Sequence, residues 1–206
     1  MRCLLAFLFI FLASPAFAWG PGGHEIAAAI AADNLTASAR AKVGAILGGD
    51  ARALMILDSS WADEVRSDRP ETGPWHYVNI PLGVRGYDAR RDCQQNDCVV
   101  AVIDRMARLV GDARTPRLER TEALRYLIHF VADIHQPLHA TDDHDRGGNS
   151  RYLYYRGKRM NLHGLWDQDA VRALGRDPLA VAAAMERNID PRARRHVGRQ
   201  SRRLGQ

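Results

Sequence analysis

The sequence predicts a mainly α-helical fold, and three observations support this class. Apolar residues recur at helical spacing along most of the chain, and Gly or Pro stands where such runs stop. Only RYLYYRGKRMN, at positions 151–161, has the pattern of a small β-hairpin, which turns near Gly157. With 206 residues, 46% of them hydrophobic, the chain can bury one sizeable core, so we expect one domain.

The first eighteen residues, MRCLLAFLFIFLASPAFA, are typical of a secretory signal peptide. A positive charge precedes a short apolar run, and an Ala-x-Ala cleavage signal follows it. The apolar run is shorter than the roughly 20 residues that a membrane span needs. We expect residues 1–18 to be removed, so that the mature chain begins at Trp19 and works as a secreted or periplasmic protein.

Two helices are expected next, separated near residues 33–35. Their apolar stripes are Ile26, Ala29 and Ile30 in the first helix and Val43, Ile46 and Leu47 in the second. Thr36 is the candidate N-cap of the second helix, and Gly48 and Gly49 are its candidate stop.

Four more helical segments follow along the chain. Apolar residues from Val99 to Val110 predict a helix that stops at Gly111, and Thr121 to Gln136 is the strongest helix, ended by Pro137. The stretch DDHDRGGNS then predicts a loop. Beyond the hairpin, LHGLWDQDAVRALG and LAVAAAMERN are again helical.

The predicted 121–136 helix has one polar stripe and is otherwise mostly apolar. The stripe comprises Glu122, Arg125, Tyr126, His129, Asp133 and Gln136, and the apolar side comprises Leu124, Leu127, Ile128, Val131 and Ile134. Such a helix is buried, so its polar groups must face something that satisfies them. His129 and Asp133 project side by side, whereas His135 points about 120° away from His129 and is not expected to share its site.

A single His-x-x-x-Asp pair is more often an ordinary hydrogen-bonded core pair than a metal site. Here the spacing recurs, because His163 and Asp167 repeat it in NLHGLWD, and His139 follows directly after the buried helix. Imidazole and carboxylate groups also stand upstream, each beside Trp or Gly, at His24, Asp63 and His76. The recurrence favours a metal centre.

With these motifs in order, the sequence resembles the trinuclear-zinc, single-strand-preferring nucleases, also called class I nucleases or nuclease/3′-nucleotidases. The motifs are Trp-Gly-x-x-Gly-His, Trp-Ala-Asp, Trp-His, His-x-x-x-Asp, Gln-Pro-Leu-His, Gly-Gly-Asn and Leu-His-x-x-Trp-Asp. The resemblance covers Trp19 to about Leu174 and fills all nine ligand positions of the family. It implies a multi-helix bundle like that of the zinc-dependent phospholipases C, with a small β-hairpin.

The resemblance implies three zinc ions per chain, bound by residues of this sequence in three sets. The first set is Asp63, His76, His129 and Asp133. The second set is the α-amino nitrogen and carbonyl oxygen of Trp19, His24 and the other oxygen of Asp133. The third set is His139, His163 and Asp167. A free amine at Trp19 exists only after the signal peptide has been removed.

The implied activity is hydrolysis of single-stranded DNA and RNA to 5′-nucleotides, with 3′-nucleotidase activity, by a monomer that does not associate with membranes. Two zincs bridged by Asp133 would activate a water for attack on phosphorus, with Asp63 in the same site, and the third would stabilise the departing oxygen. Arg66 is a candidate phosphate contact or, equally, a solvated surface arginine. Tyr77, Tyr152 and Tyr154 are candidate base-stacking groups, although tyrosines at these spacings more often pack in cores.

Two rival functions stay open at this point. A phospholipase C shares the fold, but the last ligand here is Asp167 where that family uses Glu, and the first histidine follows Trp19 by only five residues. The other rival is an inactive, truncated remnant that still binds zinc or nucleic acid.

Cys93 and Cys98 are the cysteines that remain once the expected signal peptide is gone. They lie close enough for a local disulfide, or for a C-x4-C metal pair. A disulfide is favoured for an exported protein without a second cysteine pair, and it would contribute about 2 kcal/mol by chain-entropy reasoning.

The formal net charge of +5 comes largely from arginines near the C-terminus. Residues 19–190 are expected to form the zinc nuclease domain, and residues 191–206 an Arg-rich, disordered tail. Family members continue with further helices that close the bundle, so those C-terminal helices are expected to be missing. A shifted reading frame explains the Arg-rich end better than a basic arm for nucleic acid does.

Overall fold

The computed structural model describes residues 19–190, and over this range the chain is mainly α-helical with one small two-stranded sheet, as the sequence predicts. The expected signal peptide and the Arg-rich tail lie outside the described residues. Within the described range, no helix is long and apolar enough to cross a membrane.

The elements follow one another in this order. The helices are α1 Pro21–Asp33, α2 Ala37–Leu47, α3 Ala51–Leu57, α4 Trp61–Glu64, α5 Ala89–Asp92, α6 Val99–Gly111, α7 Arg117–Asp133, α8 Leu162–Gly164, α9 Val171–Leu174 and α10 Pro178–Arg187. The strands are β1 Tyr152–Tyr155 and β2 Lys158–Asn161. Short 3₁₀ turns cover Val65–Ser67, Pro70–His76, Gln94–Asn96 and Pro137–His139, and a π-helical turn covers Leu165–Ala170.

The bounds of α2 and the end of α6 fall where the sequence predicts them. Thr36 caps α2, since its hydroxyl oxygen accepts a hydrogen bond from the Ala39 amide at 3.1 Å. Gly48 ends α2 in the left-handed conformation, at φ 90°. The α6 helix ends at Gly111 as expected.

The predicted bounds of α7, 121–136, are wrong at both ends. The helix begins at Arg117, directly after Pro116. A residue before proline avoids the helical region, so the helix cannot extend back past Pro116. It ends at Asp133, because a residue before proline avoids the helical region, and Gln136 before Pro137 is extended at φ −79° and ψ 118°. Val131, expected on the buried side, is 41% exposed.

The main core lies between α6 and α7 and the loop segments that lead to them. Buried members include Val99 and Val102 from α6 and Tyr126 and Phe130 from α7. The predicted disulfide between Cys93 and Cys98 is formed, and both cysteines belong to this core. The disulfide fixes the start of α6 against the centre of the molecule.

A second, smaller core joins α1 to α10. It comprises Ile26, Ala29, Val181 and Ala182. The α1 helix also lies against α3 and α7, so it connects this small core to the centre of the chain. His24 on the first turn of α1 is thereby placed beside α7.

The hairpin turns where it was predicted. Tyr152 pairs with Asn161 and Tyr155 with Lys158, in antiparallel register. Arg156 and Gly157 at the turn have positive φ values of 50° and 77°, as a tight two-residue hairpin turn requires.

Candidate metal centre

Buried histidines and aspartates of separate elements meet around the C-terminal end of α7. His129 and Asp133 are each 0% exposed. Their i, i+4 spacing places both side chains on one face of α7, as predicted. Three groups of donor atoms lie close enough together to hold metal ions: Asp63, His76 and His129; His24, His129 and Asp133; and His139, His163 and Asp167.

The first group gathers on one oxygen of Asp133. Oδ2 of Asp133 lies 3.0 Å from Nδ1 of His76 and 3.2 Å from Nε2 of His129. These two histidine nitrogens are 3.2 Å apart. Oδ1 of Asp63 lies 3.6 Å from Nδ1 of His76 and 3.7 Å from Nε2 of His129.

The second group gathers on the other oxygen of Asp133. Oδ1 of Asp133 lies 3.3 Å from Nε2 of His24, although the two atoms do not have hydrogen-bond geometry. The ring of His24 stacks on that of His129 with centroids 3.9 Å apart. The indole N–H of Trp19 donates to the Ala132 carbonyl at 3.0 Å, so Trp19 lies beside the residue that precedes Asp133.

The third group lies where the chain leaves α7. Nε2 of His139 is 3.1 Å from Nε2 of His163, which in turn is 3.2 Å from Oδ2 of Asp167. His139 belongs to the 3₁₀ turn after Pro137, His163 to α8, and Asp167 to the π-helical turn. The β1–β2 hairpin lies between His139 and His163 in sequence, and it returns the chain to the site.

Backbone carbonyls orient three of the histidines. Nδ1 of His129 donates to the Ser59 carbonyl at 2.8 Å, Nδ1 of His139 to the His76 carbonyl at 2.7 Å, and Nδ1 of His163 to the Gly147 carbonyl at 2.6 Å. A carbonyl only accepts, so Nδ1 carries the proton and a neutral ring presents a lone pair at Nε2. Such outer hydrogen bonds are usual for histidines that bind metals.

This arrangement leaves polar atoms without partners unless a cation is bound. In the part of the chain that the structure describes, the buried side-chain atoms that lack a hydrogen bond are both ring nitrogens of His24, Nε2 of His76 and one oxygen each of Asp63 and Asp133. Since unpaired buried polar atoms are costly, these donor sets fit metal ions.

The sequence also matches known proteins. The sequence model of the S1/P1 nuclease family matches residues 19–201, which is most of the chain. The chain belongs to the S1/P1 nuclease family. It is 31% identical to Endonuclease 2 of Arabidopsis thaliana over 182 residues, and 32% identical to Nuclease S1 of Aspergillus oryzae over 177 residues. It is 31% identical to Nuclease P1 of Penicillium citrinum over 156 residues.

These S1/P1 relatives are longer than the chain. The matched parts cover 84%, 83% and 72% of this chain but 62%, 61% and 57% of the relatives, in the order above. The chain therefore spans about three fifths of the length of the S1/P1 nucleases that it matches.

Gln136 is a residue of this S1/P1 site whose role the sequence did not indicate. Its side chain is 0% exposed, and its amide N–H donates to Oδ1 of Asp167 at 2.8 Å, while its carbonyl oxygen accepts from the Leu138 amide. The Gly20 amide donates to the Asp167 carbonyl at 2.8 Å. Gln136 and Gly20 together connect the third donor group to the segment that follows α7 and to the residue next to Trp19.

Burial shifts the pKa values of the outer groups of the site. Burial, reinforced by the positive charge of His129, holds the pKa of His24 well below its ordinary value. Burial lowers the pKa of His139 to about 4, so this ring is neutral at pH 7. Burial also raises the pKa of Asp63, and it raises that of Asp167 to about 8 despite the hydrogen bond from Gln136.

The central pair on α7 behaves differently because its two members interact directly. Burial opposes the charged form of His129, but the charge of Asp133 and its hydrogen bond outweigh burial and raise the pKa of His129 to about 9. Burial likewise opposes ionisation of Asp133, but His129 holds its pKa well below the ordinary range. Asp133 is therefore a buried carboxylate.

Arg66, the candidate phosphate contact, and Asn149, from the Gly-Gly-Asn motif, have distinct surroundings. Arg66 lies in the 3₁₀ turn directly after α4. Burial raises the pKa of Asp63, and the positive charge of Arg66 partly opposes this rise, so Arg66 is close to the first donor group. The side-chain amide of Asn149 donates to the Arg146 carbonyl at 2.9 Å, so Asn149 shapes its loop.

The acidic loop after His139 is more ordered than its composition indicates. Oδ1 of Asp142 accepts from the Gly147 amide at 2.8 Å, and Oδ1 of Asp145 accepts from the Gly148 amide at 2.8 Å. These bonds position the Gly147 carbonyl that holds His163. His135 points away from the site, as predicted, and its side chain is exposed.

A cavity of about 850 Å³ opens beside two of the donor groups. Asp63 and Asp167 line it, together with residues from the first turn of α1 and with Arg172 and Arg176. A substrate could therefore approach the first and third donor groups from one side, in contact with basic side chains.

Proposed function

We propose that the chain is a zinc-dependent nuclease that hydrolyses single-stranded DNA and RNA to 5′-nucleotides and also removes phosphate from 3′-nucleotides. The observation that carries the proposal is Asp133, whose buried carboxylate turns one oxygen to His76 and His129 and the other to His24. A carboxylate shared in this way suits a pair of neighbouring metal ions. Membership of the S1/P1 family supports the phosphodiester substrate.

Three zincs per chain are proposed, with ligands drawn from the three donor groups. Asp63, His76, His129 and Asp133 would hold one ion, and His139, His163 and Asp167 another. The ion on His24 and Asp133 would be completed by the α-amino nitrogen and carbonyl oxygen of Trp19. Imidazole and carboxylate are ligands that suit zinc, and sets of three with open positions are typical of catalytic zinc.

Bound zinc would supply Lewis-acid polarisation of a phosphate oxygen and of the attacking water. The residues of the chain supply the positioning. Asp133 holds the first two donor groups together, the carbonyls of Ser59, His76 and Gly147 fix the imidazole rings, and Gln136 fixes Asp167. Arg66, next to Asp63, would contact a phosphate oxygen by a charge-assisted hydrogen bond.

Export of the protein is part of the proposal. A free amine at Trp19 requires cleavage of the preceding peptide bond, and the Cys93–Cys98 disulfide suits an oxidising compartment. We therefore infer a secreted or periplasmic monomer that becomes active once Trp19 is its first residue. A precursor as active as the processed chain would contradict this dependence on Trp19.

A substrate panel tests the proposed function. The chain beginning at Trp19, supplied with zinc, is expected to hydrolyse single-stranded DNA, RNA and 3′-nucleotides faster than duplex DNA, and to lose all three activities in excess chelator. Turnover of phosphatidylcholine without turnover of single-stranded DNA would instead indicate a phospholipase C. Zinc binding without any hydrolysis would indicate an inactive remnant.

A further inference from the structure

The hairpin presents two exposed tyrosines on one face. Tyr152 is 57% exposed and Tyr154 is 76% exposed, and alternation along β1 places both on the same side. Their register partners on β2 are Asn161 and Arg159. The guanidinium of Arg159 lies over the Tyr152 ring, 3.9 Å from its centroid. We call Tyr152, Tyr154 and Arg159 the hairpin face.

The hairpin face adjoins the third donor group. Asn161, opposite Tyr152, caps α8 by accepting the Gly164 amide at 2.7 Å, and α8 carries His163. The Cα atoms of paired strand residues, such as Tyr152 and Asn161, lie about 5 Å apart. From Asn161 to His163 the chain advances two residues, which span at most about 7 Å. The Cα atoms of Tyr152 and His163 are therefore within about 13 Å of each other, by the same geometry.

The charge of the hairpin suits a polyanion. Residues 151–161 contain neither Asp nor Glu, and their basic residues are Arg151, Arg156, Lys158 and Arg159. Arg151 pairs with Asp143 and Asp145 of the preceding loop, so Arg156, Lys158 and Arg159 carry the excess positive charge of the hairpin. Exposed aromatic rings among cations are the chemistry with which proteins bind single-stranded nucleic acid, since bases stack on the rings and cations attract the phosphates.

The same face suits a lipid surface less well. The aliphatic side chains of the hairpin are Leu153 and Met160, which pair with each other on the opposite, half-buried side. The side that carries Tyr152 and Tyr154 thus offers flat rings and the cation of Arg159, but no aliphatic chain to enter an acyl layer.

We propose that the hairpin face is a stacking platform that binds bases of single-stranded nucleic acid beside the metal centre. This inference rests on the proposed nuclease function, which it deepens by assigning the groups that hold the strand. Arg159 has two roles in it, since it holds the Tyr152 ring in place and lies near the phosphates of the strand.

Binding without cleavage tests the platform directly. Anisotropy of a short fluorescent oligo(dT) is measured in excess chelator, for the chain and for two double variants. Tyr152→Ala/Tyr154→Ala is expected to weaken binding by about tenfold or more, since stacking of each base contributes roughly that much or more. Tyr152→Phe/Tyr154→Phe is the matched control, and it keeps binding because the rings remain.

Each other outcome contradicts the platform. Equal binding by the Ala variant, no binding by the unmodified chain, or equal loss in the Phe variant would each overturn stacking on these rings. Stacking of bases would also be contradicted if the Ala variant kept its binding of oligo(dT) but lost binding of anionic lipid vesicles. If the zinc-loaded chain hydrolyses nothing while the Ala and Phe variants still differ in binding, the proposed function fails and the platform stands.

Discussion

Asp133 is the residue on which the centre depends most, because its two oxygens face different histidines. An Asn at this position keeps the size of the side chain but replaces one oxygen with an NH₂ group, which cannot bind a metal. We predict that Asp133→Asn loses the zincs of the first two donor groups and lowers hydrolysis to the background rate. Zinc content and initial rates measure this.

The control for Asp133→Asn is Asp104→Asn, which makes the same change at an exposed position of α6. It should keep both zinc content and rate. Full zinc content in Asp133→Asn would show that Asp133 is not the shared ligand.

Gln136 is expected to matter through Asp167. Gln136→Met keeps the volume but leaves Oδ1 of Asp167 and the Leu138 amide without their partner. An unsatisfied buried group costs about 1–3 kcal/mol, so the free energy of unfolding in urea should fall by about that amount. Zinc affinity of the third donor group should fall as well. His135→Met, at the exposed neighbouring position, is the control and should change neither quantity.

At the scale of single residues, the sequence predicts the two His-x-x-x-Asp pairs but not the residues that surround and orient them. The i, i+4 spacing is enough to place His129 beside Asp133 and His163 near Asp167, because helix geometry is local. The approach of His24 and His76 to α7 depends on long-range packing, so only the family resemblance could indicate it. Gln136 is extended before Pro137, and from this position its side chain reaches Asp167. A helical wheel cannot predict this contact because Gln136 lies outside the helix.

Among the elements, the loop between the 3₁₀ turn of His139 and β1 has the strictest steric limits. Gly147 has φ 59°, and a Cβ there would lie 2.6 Å from the Leu138 carbonyl oxygen. We predict that Gly147→Ala displaces the loop, frees His163 from its carbonyl partner and weakens zinc binding by the third donor group. The melting temperature should also fall.

Gly157→Ala is the matched control for the loop variant. Gly157 also has a positive φ, 77°, but a Cβ there would meet nothing within 4 Å. It should cost only the backbone strain, about 1 kcal/mol, and leave zinc binding intact. Equal effects of the two substitutions on zinc affinity would contradict the role given to the loop.

The same loop should respond to acid. The hydrogen bond from the Gly148 amide lowers the pKa of Asp145 below the ordinary 3.8. A lowered carboxyl pKa means that the stabilisation is present above the ordinary pKa and is lost as the pH falls through the folded value. We predict that NMR titration gives Asp145 a pKa below the ordinary value of 3.8. Protection of the Gly148 amide from hydrogen exchange should fall as Asp145 becomes protonated. Protection that is unchanged through this titration would contradict the assignment.

Some helices and strands could be predicted from local sequence patterns alone, and others could not. Long amphipathic α6 and the hairpin were predicted because their periodicity and turn residues are strong. The start of α7 was missed because its first turn is charged except for Leu118, which is exposed and continues no apolar period. The π-helical turn at Leu165–Ala170 was not predicted, and its Asp167 carbonyl accepts a hydrogen bond from the Gly20 amide, which is distant in sequence.

At the scale of the whole molecule, folding and metal binding should be coupled. The donor groups come from α1, α4, α7 and the segments between Pro70 and Asp167, so bound metal would connect most of the described chain. A ligand that binds only the folded state stabilises it. Removal of zinc by chelator should therefore lower the melting temperature.

The stoichiometry of zinc tests the central claim most directly. Zinc per chain, measured by elemental analysis on the protein that begins at Trp19, should approach one ion for each of the three donor groups. The same sample should cleave single-stranded DNA, lose this activity in chelator and regain it with zinc. A chain that holds no zinc, or that fills all three groups yet never cleaves a single strand, would contradict a trinuclear nuclease centre.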